Sequence, residues 1–377
     1  MSAVSVALDV TAIPPRPAGA GRYVLELVRA LAAREDCELE VFARRDDGER
    51  WRGLAPRAQV HALAPSSRPA RLGYGELALA PAISRQAPRA QVLHAPHYTM
   101  PRHARIPVLV TIHDLTFVQH PEWHERSKVL VFRRALARAA KRAQACCCVS
   151  AATAAAFVET YHPSASVEVV GHGVDHQRFA PVEPEPGGDA AVLARRRVEP
   201  PYVLVLGTIE PRKDPVSLLS AFERIAASRP ELSLVFAGQS GWHLEAFEAR
   251  LSRSPVRSRV LRLGYVDDEE VPALLRSAAA VAYVALEEGF GLPALEALAC
   301  GTALITTKRS VMAELSGDAA LLVEAHDPVA LAEALDEALE PSTAASDRRR
   351  RGLELARRHT WAGAAEAYLA LYRRLAR

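Results

Sequence analysis

Short apolar runs rich in β-branched residues recur at positions 4–10, 39–43, 59–63, 92–94, 108–112, 146–150 and 167–170, and each predicts a strand. Between several of them the apolar positions return with helical spacing, as over 23–34 and 129–142. A segment rich in Pro, Gly and Glu at 180–189 breaks the pattern and reads as a linker. Beyond it the alternation restarts, with strands expected at 202–206, 232–237, 260–263, 281–285, 304–306 and 320–323 and helices at 217–227, 271–278 and 328–339. Alternation of this kind predicts an α/β chain with two doubly wound, Rossmann-like parallel sheets, at 1–180 and 181–360. Ligands of such sheets bind beyond the carboxyl ends of the strands, so a cleft between the two domains is the expected site.

The stretch from Glu288 to Glu296 carries the strongest chemical signal. Gly289 and Gly291 permit a tight turn, and Pro293 suits the first position of a helix, where its missing N–H costs nothing. Free N–H groups at that helix start favour an anion, while Glu288 and Glu296 can accept hydrogen bonds from hydroxyls. Arg212 and Lys213 follow another strand and could hold a diphosphate, the competing reading being an exposed basic turn. Gly19 and Gly21 lie between the first strand and its helix, where a ligand could approach the backbone; a flexible loop would look the same. His113 and Asp114 end the strand at 108–112 and are acid/base or sugar-orienting candidates, with His113 the better placed for the cleft and a structural histidine the alternative.

Other polar clusters carry less. The acidic run 267–270 heads a helix, where it suits the dipole and the N-cap better than a metal. His120 and His124 fit no zinc spacing, so no metal site is expected. Arg134, Arg138, Lys141 and Arg142 share one side of the helix at 126–142, with Val129, Phe132 and Leu136 on another. That basic side is either a solvated face or a surface for anionic lipid.

Composition narrows the class. At 377 residues, 49% apolar and 24% charged, the chain suits two globular domains. It has no run of about 18 apolar residues, and residues 1–9 show no leader pattern, so a soluble intracellular protein is expected. Cys146, Cys147 and Cys148 adjoin within an apolar strand, which suits buried thiols rather than a disulfide framework. Residues 1–180 hold 23 basic and 16 acidic side chains, against 24 and 28 in the remainder, so the first part is the one to meet an anionic partner.

With these residues in view, the chain resembles the family 4 glycosyltransferases, retaining enzymes of the GT-B fold, and within them the polysaccharide mannosyltransferase group. The likeness runs nearly the whole length. It includes 19–23, His113–Asp114, Val149–Ser150, 173–175, 210–213, 264–266, 288–296 and 317–319. By that resemblance Arg212 and Lys213 bind the donor diphosphate, Glu296 the ribose, and the backbone near Val266 the base. Glu288 and the amides of Gly289, Phe290, Gly291 and Leu292 take the donor sugar, His113 orients it, and the helix at 361–377 crosses back to the N-terminal domain. Three positions depart from the pattern: Thr208 stands where many relatives have arginine, Glu287 where a small hydroxyl residue is common, and His172 where asparagine is usual.

The expected activity is retaining transfer of a hexose, mannose from GDP-mannose, to a hydroxyl of a saccharide or lipid-linked acceptor. The nucleotide sugar is a co-substrate, with no metal, cofactor or nucleic acid, and the setting is cytoplasmic or peripheral at an anionic inner membrane face. A UDP-sugar donor and a GT-B nucleotide-sugar epimerase are the nearest alternatives. A dinucleotide oxidoreductase lacks its glycine fingerprint after the first strand, and a non-catalytic binding module would not need the full set of site residues.

Overall fold

The computed structural model describes residues 3–17, 19–182 and 185–377. Met1 and Ser2 of the leader reading, Ala18 beside the glycine turn, and residues 183 and 184 of the expected linker lie outside them. The chain divides into one unit of Met1–Gly173 with Trp361–Arg377 and a second of Val174–Thr360. The division falls at Gly173 rather than at 180 because the intervening residues are bonded into the second unit. Val174 donates to the His359 carbonyl at 3.2 Å, and Arg178 donates to that of Asp268 at 2.5 Å.

The first unit holds a seven-stranded parallel sheet made of β1 (Val4–Asp9), β2 (Cys37–Arg44), β3 (Gln59–Ala64), β4 (Val92–Ala95), β5 (Val108–Ile112), β6 (Ala145–Cys148) and β7 (Ser166–Val169). Their order is β3-β2-β1-β4-β5-β6-β7, so the winding reverses between β1 and β4. Helix Ala20–Ala32 buries Tyr23, Val24, Leu27, Val28 and Leu31, a helical repeat that turns one stripe inward. Helix Trp361–Leu375 packs beside it and carries Tyr368, Leu369 and Tyr372 fully buried into this unit. Strand β6 stops at Cys148, short of the expected 150, because Ser150 caps the next helix by accepting a bond from the Thr153 N–H at 3.1 Å.

The second unit repeats the plan with β8 (Tyr202–Leu206), β9 (Ser233–Ala237), β10 (Val260–Gly264), β11 (Ala280–Tyr283), β12 (Ala303–Thr307) and β13 (Ala320–Val323), in the order β10-β9-β8-β11-β12-β13. Its winding reverses between β8 and β11. Strand β11 ends at Tyr283 instead of 285, and the next helix, Leu292–Ala299, starts one residue before Pro293 with Gly291 as its N-cap. The expected linker is shorter than 180–189, since Gly188 and Asp189 open helix Gly188–Arg196 and Asp189 pairs with Arg276 at 2.6 Å. Among the described residues no helix is long and apolar enough to cross a membrane.

Candidate functional site

In the second unit the charged candidates gather where the strand order reverses, the position at which open α/β sheets bind ligands. The loop after β8 turns at Pro211–Lys213 into helix Pro215–Ile225, which Asp214 caps by accepting from the Ser217 N–H at 3.2 Å. The loop after β11 is tied to it through the Leu286 N–H and the Arg212 carbonyl at 2.8 Å. That tie sets Arg212 and Lys213 against Glu288. One guanidinium nitrogen of Arg212 lies 2.7 Å from Glu288 Oε1, and Lys213 Nζ donates to the same oxygen. The Tyr283 hydroxyl donates to that oxygen at 2.8 Å and accepts from Lys213 at 2.6 Å. Glu210 holds the other side of Arg212 at 2.6 Å.

The result is a buried set of two cations and two carboxylates. Burial lowers the basicity of the Lys213 ammonium, an effect Glu288 partly offsets. Burial alone would raise the Glu288 carboxyl, yet Arg212 and Lys213 bring it down to about 2. Burial and the neighbouring Glu288 push the Tyr283 phenol well above its ordinary value. Lys213 is therefore no exposed basic turn; its side chain is only 10% exposed. Glu288 faces the cations, so a hydroxyl ligand would share the carboxylate with them.

Gly291 needs to be glycine. Its φ is 91°, and a Cβ there would lie 2.6 Å from Met312 Cγ. The turn it makes brings Phe290 and Leu292, both nearly buried, to the start of helix Leu292–Ala299, with Gly289 preceding them. Glu296 lies inside that helix and is 4% exposed. Val266 follows β10, the outermost strand on that side, and is buried.

In the first unit His113 is buried just past β5, and its Nε2 donates to the Pro96 carbonyl at 2.8 Å. Burial lowers its basicity, so the ring is neutral with Nδ1 as its acceptor nitrogen. Tyr23 and Tyr98 pack edge-on against it at 5.1 and 5.5 Å between ring centres. Asp114, the other candidate at this strand end, is bonded locally. Its carboxylate accepts from the Thr116 N–H at 3.0 Å and hydroxyl at 2.7 Å, closing a turn into helix Thr116–Gln119.

The two N-terminal glycines also differ. Gly19 has φ 44° and open space where a side chain would be, whereas a Cβ on Gly21 would lie 2.6 Å from Pro17 Cβ. Gly21 is thus required by the packing of the loop itself. In the acidic run, Glu270 sits at the helix N-cap without a capping bond and takes Arg195 Nε at 3.0 Å and Arg196 Nε at 2.7 Å instead.

Sequence reasoning passed over Tyr283, hidden in an apolar strand, and the glycines after β9. A Cβ on Gly238 would meet the Gly207 carbonyl oxygen at 1.9 Å, and one on Gly241 the Ile209 oxygen at 2.7 Å, so both let the β9 loop press against the loop that carries Arg212. Their signal was two glycines three apart at a strand end. His172, unexplained in sequence, stacks between Tyr23 and Trp361 at 4.6 and 5.8 Å between ring centres.

Residues 17–178 match the family described as Glycosyltransferase Family 4, and residues 194–355 match Glycosyl transferases group 1. The chain is 28% identical to O-antigen chain mannosyltransferase B of Escherichia coli, over 91% of its own length and 92% of that protein. It is 38% identical to D-inositol 3-phosphate glycosyltransferase of Salinispora tropica over 46% of its length, spanning 39% of that protein. Among solved structures, Alr3699/HepE of Anabaena in complex with UDP and glucose superposes with a TM-score of 0.75 at 17% identity, covering 98% of this chain and 99% of that one.

Proposed function

Because the chain belongs to the family 4 glycosyltransferases and is a nucleotide-sugar-dependent transferase, we propose that it moves mannose from GDP-mannose, with retention, to a hydroxyl of a saccharide or lipid-linked acceptor. The observation that carries this reading is the buried Arg212–Lys213–Glu288 cluster at the strand reversal, beside a helix N-terminus. As the bond from the anomeric carbon to the diphosphate breaks, its electron pair stays on the departing diphosphate. Arg212, Lys213 and the amides opening helix Leu292–Ala299 stabilise that charge, and they do so without a metal. Glu296 holds the ribose, Glu288 and the loop Gly289–Leu292 hold the sugar, and the backbone at Val266 contacts the base. His113, neutral and with Nδ1 as an acceptor, orients the sugar by accepting a hydroxyl hydrogen. Mannose is supported by the likeness to O-antigen chain mannosyltransferase B, which covers 91% of this chain; GDP as its carrier is part of the proposal. The exposed basic positions of helix Arg126–Arg142 support peripheral contact with an anionic membrane.

Calorimetric titration with GDP tests the division of roles. Glu296→Ala should weaken GDP binding by about tenfold to a hundredfold, the worth of a hydrogen bond to a charged group, while Glu288→Ala should mainly lower turnover. Equal losses of GDP affinity in both would overturn the assignment, abolition of transfer by EDTA would remove the metal-free reading, and tighter binding of UDP than GDP would move the donor to the uridine class.

A further inference from the structure

His113 is tethered through its Nε2 bond to the Pro96 carbonyl, and one such bond leaves an imidazole room to rock about it. The plane of the ring, and with it the direction of Nδ1, is set by the rings packed around it. Tyr98, three residues past β4, stands edge-on on one side, and Tyr23, in the first turn of helix Ala20–Ala32, stands edge-on with its plane turned by 73°. Tyr23 is held at two places. Its hydroxyl ends a chain of hydrogen bonds that runs in one direction. Tyr23 donates to the Tyr368 oxygen at 2.7 Å and, with no second hydrogen to give, accepts from the Thr111 hydroxyl at 3.1 Å. Thr111 in turn accepts from His94 Nε2 at 2.7 Å, which leaves His94 Nδ1 to accept from the Tyr372 hydroxyl at 2.7 Å. All five side chains are fully buried, so the chain of bonds is dry and rigid. The second hold is on the ring face. His172 covers it at 4.6 Å with the two planes 31° apart, and Trp361 stacks on His172 at 25°. The Tyr23 hydroxyl is committed to Thr111 and Tyr368, so what Tyr23 offers His113 is the ring and neither an acid nor a base.

We propose that Tyr23 is a positioning residue for sugar transfer, holding the imidazole of His113 so that Nδ1 meets a sugar hydroxyl, and that His172 keeps Tyr23 in that place by stacking on it. The inference rests on the reading of His113 as the group that orients the sugar. It also accounts for histidine at 172, where asparagine is usual in the family: an asparagine has no ring for Tyr23 to lie against, so in this chain Tyr23 and His172 form a matched pair. His172 itself lies 6.3 Å from His113 between ring centres and acts on it through Tyr23.

The test follows GDP released from GDP-mannose with water as acceptor, counted per folded molecule, beside calorimetric GDP affinity and melting temperature. Tyr23→Leu should lower kcat about tenfold to a hundredfold while KM and GDP affinity stay within about twofold. Tyr23→Phe keeps the ring and should hold kcat within about threefold, although the lost hydroxyl lowers the melting temperature. His172→Asn should lower kcat about threefold to tenfold, and His172→Phe, which restores a ring to the stack, should recover it. Phe157→Leu trims a fully buried ring elsewhere in the same core and should lower the melting temperature alone. Normal kcat per folded molecule in Tyr23→Leu would make the pair merely structural. Failure of His172→Phe to recover what His172→Asn loses would show that the imidazole nitrogens at 172 matter and not the stack. Either result overturns the proposal. His113→Ala judges the underlying reading separately: if it retains kcat, the role of His113 falls, whereas if it collapses kcat, adding Tyr23→Leu should cost nothing further, and a second loss of the same size would overturn the proposal alone. A readout free of turnover is the side-chain nitrogen spectrum of His113, assigned by its loss in His113→Ala. Wild type should show the Nε2–H form alone and Tyr23→Leu a mixture of both tautomers; an unchanged spectrum would overturn the positioning role even if another nucleotide sugar proved to be the donor.

Discussion

Replacing Glu288 by Gln keeps the shape of the cluster and removes one of its two negative charges. In the native protein Arg212 and Lys213 are matched by Glu210 and Glu288, and the side chains of Arg212, Lys213 and Glu288 are only 18%, 10% and 15% exposed. The variant would bury an unmatched positive charge. Breaking a buried pair from one side costs about 3 to 5 kcal/mol, and the partial exposure here favours the lower end, about 3 kcal/mol. For a unit of this size that corresponds to a fall of roughly 6 to 12 °C in the melting temperature of the second unit. A diphosphate carries the missing negative charge to the same cations. GDP should therefore raise the melting temperature of Glu288→Gln by at least as much as that of wild type, although turnover is lost. Removing the surplus cation as well, in Glu288→Gln/Lys213→Met, should recover part of the stability and abolish the extra gain from GDP. Differential scanning calorimetry with and without GDP reads all three proteins. An undiminished melting temperature in the single variant, or a smaller GDP shift than in wild type, would refute the reasoning.

Acid should weaken the first unit. His94 is fully buried between the Tyr372 and Thr111 hydroxyls, both at 2.7 Å, and burial lowers its pKa from 6.5 to about 3. The unfolded chain takes up a proton below pH 6.5 and the folded one does not. Its contribution to stability is thus present above pH 6.5 and lost progressively down to about pH 3, costing about 1 kcal/mol between pH 6.5 and about 5.5. His97, His113 and His172 are shifted in the same direction, so a melting temperature flat across this range would contradict the buried neutral ring. His113→Ala should leave GDP affinity unchanged and collapse transfer; if the residue only ties Pro96 into the core, melting temperature falls instead, with normal turnover per folded molecule. Gly291→Ala should cost about 2 to 4 kcal/mol in urea unfolding, because strain at positive φ adds to a clash with Met312, whereas Gly317→Ala, with φ 48° and open space, should show the strain alone, about 1 kcal/mol.

The strands were legible because uninterrupted apolar runs such as Val108–Ile112 and Tyr202–Leu206 leave a parallel sheet no other way to bury them. Ends were harder, since a residue such as Ser150 is decided by the helix it caps and not by the strand it follows. Helix Thr343–Arg357 went unremarked because its arginine-rich surface hides a narrow buried stripe at Ala345, Gly352 and Ala356. At the site, the cations and the Glu288 turn were visible as charges at strand ends. Their mutual contacts were not, because pairing across 75 residues depends on which loops the sheet order brings together. Asp114 shows the same limit at short range: its neighbour His113 was visible in sequence, while the bond from the Thr116 hydroxyl two residues on needed the turn geometry.

Helix Trp361–Leu375 closes the core of a unit whose other residues end at Gly173. Tyr368 accepts from the Tyr23 hydroxyl at 2.7 Å, Tyr372 bonds to His94 at 2.7 Å, and Arg373 pairs with Asp36 at 2.5 Å. On the ribosome the first unit to be translated therefore cannot be the first to finish. Its sheet emerges early and waits, with the groove for Leu369 and Tyr372 open, while the whole of the second unit is made. A nascent chain that stalls or is clipped before residue 361 leaves that groove exposed, a surface for chaperones or for aggregation. Residues 361–375 thus act as a completeness check on a sheet translated well before them.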